Sequence, residues 1–346
     1  MKTIITGGAG FIGANAASRY LTRGDEVVVI DNLSRYGVVK NLEWLRPQGA
    51  LEFIQLDIRD GDGLARVFHQ HRDAAQVLHL AAQVAVTTSV RDPREDFEIN
   101  ALGTFNVLEA LRLARMDAPI LYSSTNKVYG EMTGVGVVER DGRYAYKSAP
   151  FGVSEEHNLD FHSPYGCSKG AADQYVIDYH RIYGLRTIVF RQSCIYGYRQ
   201  FGAEDQGWVA WFMIASQLGR PITIYGDGKQ VRDILFIDDL LDAYDAAFAR
   251  AAAVAGRVYN IGGGPENVLS LRELLAYIDK RRNSQLPFSS SDWRPGDQKV
   301  FVSDVRRAHT ELGWSPKTGC MRGLELLYDW IGQNRPLFLE LMPAAV

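Results

Sequence analysis

Only three cysteines occur in 346 residues, Cys167, Cys194 and Cys320. They are too few and too scattered for a disulfide scaffold or a zinc site, so no metal centre is expected. Cys167 reads as a small packing residue. No run of 18 apolar residues exists and no leader pattern precedes the first strand pattern at Lys2, so the expectation is a cytoplasmic protein with no membrane contact. Net charge is only −3, which provides no basic surface for nucleic acid. Internal repeats and low-complexity linkers are missing as well. What is present is ordinary globular composition, 46% hydrophobic and 23% charged, with 33 glycines. The length allows one large domain or two.

Several of those glycines fall where a dinucleotide site needs them. Residues 2–6 form a short apolar strand. Gly7-Gly8-Ala9-Gly10-Phe11-Ile12-Gly13 follows, then a helical pattern to about Arg23. Gly7 permits a tight turn, Gly10 lets backbone approach a pyrophosphate, and Gly13 lets the helix pack close to the strand. The helix N-terminus then faces the phosphates. A second strand, Glu26–Ile30, ends on Asp31, about 20 residues beyond the glycines, where a carboxylate suits a ribose 2′-OH and repels a 2′-phosphate. NAD is therefore favoured over NADP, with Arg35 weakening the preference slightly.

Further strands are expected at 51–56, ending on Asp57, at 76–80, at 119–122 and at 187–190. Asp57 is placed either to accept from an adenine amino group or to cap the segment after Asp60. Small residues Ala81 and Ala82 would let a cofactor lie against backbone, and His79 is expected to be buried without a catalytic role. The alternation predicts an α/β fold, a Rossmann-type doubly wound parallel sheet with ligands at the carboxyl ends of its strands. The segment 130–163 reads as a long polar loop. Beyond it the period breaks down, predicting a smaller, interleaved C-terminal α/β lobe with the substrate site in the cleft between lobes. The expected division is an NAD-binding domain over 1–190, joined by segments near 232–262, and a mostly substrate-binding lobe over 191–346.

Tyr165 and Lys169 stand four apart on a helix that Pro164 is suited to begin, so they share one face. An ammonium beside a phenol favours phenolate, and a phenolate near neutrality suits proton transfer at a sugar hydroxyl. A surface Tyr and a solvated Lys satisfy so short a motif equally well, and only the rest of the chain decides.

The glycine loop, Asp57-Ile58-Arg59, Ser123-Ser124-Thr125 with Val128-Tyr129-Gly130, Tyr165 with Lys169, and Arg232-Asp233 with Asp238-Asp239 occur in that order. Together they resemble the extended short-chain dehydrogenase/reductase superfamily of nucleotide-sugar epimerases and dehydratases, over about residues 2–333. The stretches 122–130, 159–175, 198–201 and 205–209 resemble, more closely, those of its members that epimerise a CDP-hexose at C2. The resemblance implies a tightly bound NAD, held by Gly7, Gly10, Phe11, Ile12, Gly13, Asp31, Asn32, Ser34, Arg35, Asp57, Ile58, Leu80, Ala81, Ala82, Gln83, Asn100, Ser123, Tyr165, Lys169 and Gln192. It implies Tyr165 as the proton acceptor, Lys169 lowering its pKa and holding the nicotinamide ribose, and Thr125 bonding the reacting oxygen. It implies a CDP-sugar contacted by Thr125, Asn126, Lys127, Ser193, Arg199, Gln200, Gln206, Gly207, Trp208, Arg232 and Arg294. Arg199-Gln200-Phe201 would line the sugar side and Gln206-Gly207-Trp208 the nucleotide side, while Trp211 reads as core. Arg232 and Arg294 would bind the pyrophosphate, Arg294 having a salt bridge to Asp297 as its alternative. Dehydratases carry an Asp-Glu pair where this chain has Asn126-Lys127, so dehydration is not expected. Lys127 would instead meet a substrate phosphate or hydroxyl, or be a solvated loop residue. The resemblance also implies a homodimer or higher homo-oligomer, through helices near 94–116 and 164–182. A 4-epimerase, a simple ketoreductase and a non-catalytic NAD-binding scaffold are the rival readings.

Overall fold

Runs rich in Ile and Val with few polar interruptions form strands β1 (Lys2–Thr6), β2 (Glu26–Asp31), β3 (Leu51–Gln55), β4 (Gln76–His79), β5 (Ile120–Thr125), β6 (Thr187–Gln192) and β7 (Arg257–Ile261). In this computed structural model, which describes residues 1–294 and 297–342, they make one parallel sheet of order β7-β6-β5-β4-β1-β2-β3. Pro295 and Gly296, within the expected phosphate-side stretch, lie outside the described residues.

Side chains alternate between the two faces, as the period of two requires. Ile5, Val27, Val29, Ile188 and Phe190 join one core, while Ile4, Val28, Ile30 and Val189 join the other. Helix Phe11–Thr22 packs through Ala14, Ala16 and Ala17 on the first of these. Burial on both faces is what selects near-continuous apolar strands.

The strand order reverses between β1 and β4, and a crevice opens there at the carboxyl ends. The register brings Thr6 beside Ile30 and His79, and Thr125 beside Gln192. β5 runs three residues further than Tyr122, so Ser123–Thr125 are strand rather than the loop after it.

The late segments build a second lobe around strand Val231–Phe236. It pairs with Cys194–Tyr196, Val268–Ser270 and Val300–Phe301. Between them β7 returns to the central sheet against β6.

The segment 130–163 is not a plain loop. It carries a hairpin, Val137–Arg140 with Arg143–Tyr146, and Met132 and Val153 bury against Val128, Tyr129 and Phe301. Its polar composition reflects a two-stranded ribbon only half covered, for which hydrophobic alternation is weak. No described helix is long and apolar enough to cross a membrane.

Candidate active site

Helix Ser163–Tyr183 carries the central pair. Ser163 sits at φ 62°, and its hydroxyl accepts from Gly166 N–H at 3.2 Å. It thus caps a right-handed turn that starts at Pro164, whose missing N–H is no loss there. Tyr165 and Lys169 then face the cleft together, 8% and 3% exposed. Cys167 points the other way and is exposed, which corrects its expected packing role. Two helical positions from Tyr165 is more than half a turn away.

Thr125, ending β5, lines the cleft with Tyr165, and its hydroxyl donates to Asn126 Oδ1 at 3.3 Å. Its oxygen also accepts from Lys127 N–H at 3.3 Å. The neighbouring Ser124 donates to Asp173 at 2.7 Å, and Asp173 is clasped by Arg191 Nε and a terminal guanidinium nitrogen at 3.0 and 2.9 Å. This pair is wholly buried. It ties the helix carrying Tyr165 to β5 and β6, so the spacing of Thr125, Tyr165 and Lys169 is a property of the core.

The expected lowering of the Tyr165 pKa by Lys169 is not found. Burial pushes the Tyr165 phenol up to about 12 and the Lys169 ammonium down to about 7. Lys169 Nζ donates to Ser123 O at 2.6 Å and lies 4.3 Å from the Tyr122 ring centre. In a dry cleft each charged form loses hydration, and this outweighs the gain from a neighbour turned toward other groups. His79 is buried, bonded with Thr6 at 2.6 Å and Thr104 at 3.0 Å, and held neutral with a pKa near 3, about what a core histidine requires.

The cleft encloses about 700 Å³ and runs from the glycine loop past Tyr165 into the second lobe. At the loop end the fit to a dinucleotide is steric and electrostatic. A Cβ on Gly7 (φ 69°) would stand 2.7 Å from Ala81 N, and one on Gly13 2.2 Å from Gly7 O. Helix Phe11–Thr22 starts at Gly10 with no side-chain cap and no acid in its first turn, leaving its N–H groups to an anion. Asp31 accepts from Ala9 and Leu33 N–H at 3.1 and 2.9 Å. Asp57 is not the helix cap, a part that Asp60 takes by accepting from Gly63 N–H at 2.8 Å. Bonded to Arg59 and Asn32, Asp57 has a pKa of about 2.

Phe11, Ile12, Ser34, Arg35, Ile58, Leu80, Ala82 and Gln192 line this end too. Gln83 and Asn100 do not. Gln83 N–H donates to Asn100, Gln83 Nε2 to Asp96, and Asn100 to Ser168, which donates to Asp96 at 2.5 Å. That network braces the helix behind Tyr165, and only the fold could show that it faces away from the cleft.

At the other end stand Asn126, Lys127, Ser193, Gln200, Gln206, Gly207, Trp208, Arg232 and Arg294. Ser193 also bonds Asp233. Arg232, not Arg294, pairs with Asp297, at 2.5 Å. Arg294 lies 3.9 Å over the Tyr225 ring and 3.4 Å from Asp205. Thr223 and Tyr225 were unforeseen, since nothing in a short alternating strand marks a binding face. Arg199 borders the cleft, but its guanidinium stacks 4.2 Å from the Trp44 ring centre beside a neighbouring surface cleft. Phe201 packs on Gly37 and Phe338. Both residues nonetheless stand on the lining of the cleft, Arg199 in a left-handed turn (φ 61°). Trp211 packs on the core.

A doubly wound sheet with a glycine-rich crevice and a Thr–Tyr–Lys centre defines a short-chain dehydrogenase/reductase type of protein. More particularly, the chain belongs to the family described as GDP-mannose 4,6 dehydratase, whose model matches residues 4–327. It is 46% identical over 335 residues to a CDP-paratose 2-epimerase of Salmonella typhi, covering 95% of this chain and 99% of that one. Among solved structures it resembles a UDP-glucose 4-epimerase from Thermotoga maritima with UDP-glucose (TM-score 0.83, 30% identity, 97% and 100% covered). A dTDP-glucose 4,6-dehydratase from Streptomyces venezuelae with NAD bound is similar too (TM-score 0.84, 28% identity, 99% and 100% covered).

Proposed function

We propose that this chain is an NAD-dependent epimerase that inverts C2 of a CDP-hexose through a transient 2-keto sugar. The observation that carries the reading is the near-full-length similarity to a CDP-paratose 2-epimerase, joined to an intact Thr125, Tyr165 and Lys169 at the cleft. NAD, when bound, accepts the hydride from C2 and returns it.

Gly10 lets the backbone approach the pyrophosphate, with Gly7 making the tight turn and Gly13 the close helix packing that form the cradle, and Asp31 accepts from the adenosine ribose. Tyr165 takes the proton of the C2 hydroxyl and gives one back. Thr125 bonds the same oxygen and aims it at the phenol. Lys169 moves from Ser123 O to the nicotinamide ribose, where its charge favours phenolate. Arg232 and Arg294 bind the substrate diphosphate, for which a planar guanidinium donates to two oxygens at once. Asn126 and Lys127 provide no carboxylic acid, which argues against loss of water.

On this reading the protein works in the cytoplasm as a homodimer or higher homo-oligomer. Phe97, Leu102, Phe105, Tyr175, Ile182 and Tyr183 are exposed on the two helices expected at that contact, which supports this assembly.

The test is NMR of the products from CDP-, UDP- and GDP-hexoses in deuterated water. A C2 epimer from a CDP-hexose, with little deuterium at C2, is expected. Extensive wash-in indicates enolisation and sinks the hydride mechanism. A C4 epimer, or release of NADH, replaces the reading with a 4-epimerase or a ketoreductase.

A further inference from the structure

Two buried asparagines tie the dinucleotide cradle to the opposite lobe. Asn41 is 1% exposed, and its amide nitrogen has two N–H bonds to give. It donates to Ala9 O in the glycine loop at 3.2 Å and to Arg199 O at 3.4 Å. Asn15, one turn into helix Phe11–Thr22, is also buried. It donates to Phe11 O at 2.8 Å and to Tyr198 O at 2.9 Å. Tyr198 and Arg199 form the turn after strand Cys194–Tyr196 of the second lobe, and the turn leads into Gln200, which lines the cleft. Each bridge therefore joins backbone around the cofactor to backbone that leads to the substrate.

Helix Val38–Leu45, which carries Asn41, grips the same turn from the side. Trp44, on the same helix face as Asn41, stacks 4.2 Å from the Arg199 guanidinium. Phe201 lies against Gly37, just before the helix. Asp31 accepts from Ala9 N–H at 3.1 Å, so Ala9 is held through its N–H by Asp31 and through its C=O by Asn41. Packing alone does not ask for an amide at position 41. Ala9, Val38 and Leu42 beside it form a buried apolar cluster, and Asn41 Oδ1 is buried with no hydrogen-bond partner among the described residues. An orphaned acceptor is costly, and a leucine of similar size would avoid it. What a leucine lacks is the pair of donors that join the lobes.

We infer that Asn41, seconded by Asn15, is a positioning residue that couples the two ligands, a coupling that goes beyond the proposed function and rests on it for the choice of CDP as probe. With the bridges made, the 198–200 turn is in register with the glycine loop; with them broken, the two move independently. NAD stiffens the loop and, through the bridges, the turn. A nucleotide that stiffens the turn holds the loop around NAD in return, since coupling between sites is reciprocal.

The experiment follows release of isotope-labelled NAD from the holoenzyme into unlabelled NAD, for the wild type, Asn41→Leu, Asn41→Ala and Asn15→Ala. Each is measured without CDP and at a CDP level that calorimetry shows to saturate it. CDP has no sugar, so a ring covering the nicotinamide does not enter the readout. CDP is expected to lengthen NAD residence about tenfold in the wild type, within the usual span of coupling between sites. The variants should cut that lengthening at least about threefold while still binding CDP. A purely structural role would speed NAD release equally with and without CDP, and an unchanged ratio in the variants overturns the inference. So does a wild type whose NAD release ignores bound CDP. Hydrogen exchange of the wild type needs no variant to fold. Bound CDP should slow exchange along helix Val38–Leu45, and unchanged exchange there overturns the inference as well. If CDP fails to bind the wild type, the functional reading fails and takes the coupling with it. If CDP binds and the ratio holds in the variants, only the role of the asparagines fails.

Discussion

At the glycine loop the cleft is lined by backbone: Gly7 against Ala81 N, Gly13 against Gly7 O, and the uncapped N–H groups that start helix Phe11–Thr22. At the opposite end it is lined by long side chains already engaged with one another. Arg232 bonds Asp297, Arg294 covers Tyr225, and Arg35 reaches Gln206 across the cleft. The first end is held in shape by the sheet and needs no rearrangement to receive an anion. At the second, ligand must compete with existing ion pairs, so geometry there depends on what is bound. Tyr165 and Lys169 stand between, on a helix locked by the buried Asp173–Arg191 pair.

Variants can break this contrast. The largest effect is expected at the junction: Tyr165→Phe should lower epimerisation about 10³-fold, the usual weight of a general acid–base. Its NAD content should stay unchanged, because the cradle is backbone. Near-normal turnover by product NMR would remove Tyr165 from its role. Gly13→Ala comes next. Its Cβ would stand 2.2 Å from a carbonyl that cannot give way, so about 1–3 kcal/mol of stability should go, and NAD with it. Gly10→Ala, at 3.2 Å, should be milder. Thermal melts and cofactor content compare the two, and equal tolerance would mean the loop is adaptable.

Asp31→Ala should weaken NAD about tenfold and relax discrimination against NADP, as loss of a charge-assisted bond predicts. Because Asp31 also ties Ala9 and Leu33, loop order should fall too. Unchanged cofactor preference would leave Asp31 only that bracing role. Asp297→Asn tests the other end. It releases Arg232 from its carboxylate, and CDP should bind a few-fold more tightly, within the range of partly exposed ion pairs. Weaker binding would show that Asp297 orients Arg232 instead of competing for it.

The remaining effect is with pH. Burial lowers Lys169 from its ordinary 10.5 to about 7. Between those values the unfolded chain holds a proton that the folded chain has released, so cofactor-free stability gains from rising pH across that window. Tyr165, raised from 10.0 to about 12, works in the opposite sense above pH 10. The difference in melting temperature between the wild type and Lys169→Met should therefore shift in favour of the wild type from pH 7 to pH 9. A constant difference would show that Lys169 stays charged in the fold.

The backbone-built end was the more legible one. Glycine spacing, apolar strands and a carboxylate after β2 are local signals, and the parallel sheet follows from their alternation. Thr125, Tyr165 and Lys169 became readable once set in that order. The hairpin at 137–146 escaped because a half-covered ribbon has no strong periodicity. Gln83 and Asn100 carry residue types suited to a cofactor, and their inward-facing network depends on Asp96 and Ser168, which are distant in the chain.

By itself, then, the sequence determined the sheet, the dinucleotide cradle and the identity of the central trio, since each is written in short-range spacing. Tertiary structure alone decided that Arg232 pairs with Asp297, that Arg199 turns to Trp44, and that burial raises Tyr165 and lowers Lys169. The reason is physical. Backbone shape follows from neighbours along the chain, whereas ion pairing and desolvation depend on which distant side chains share a dry space.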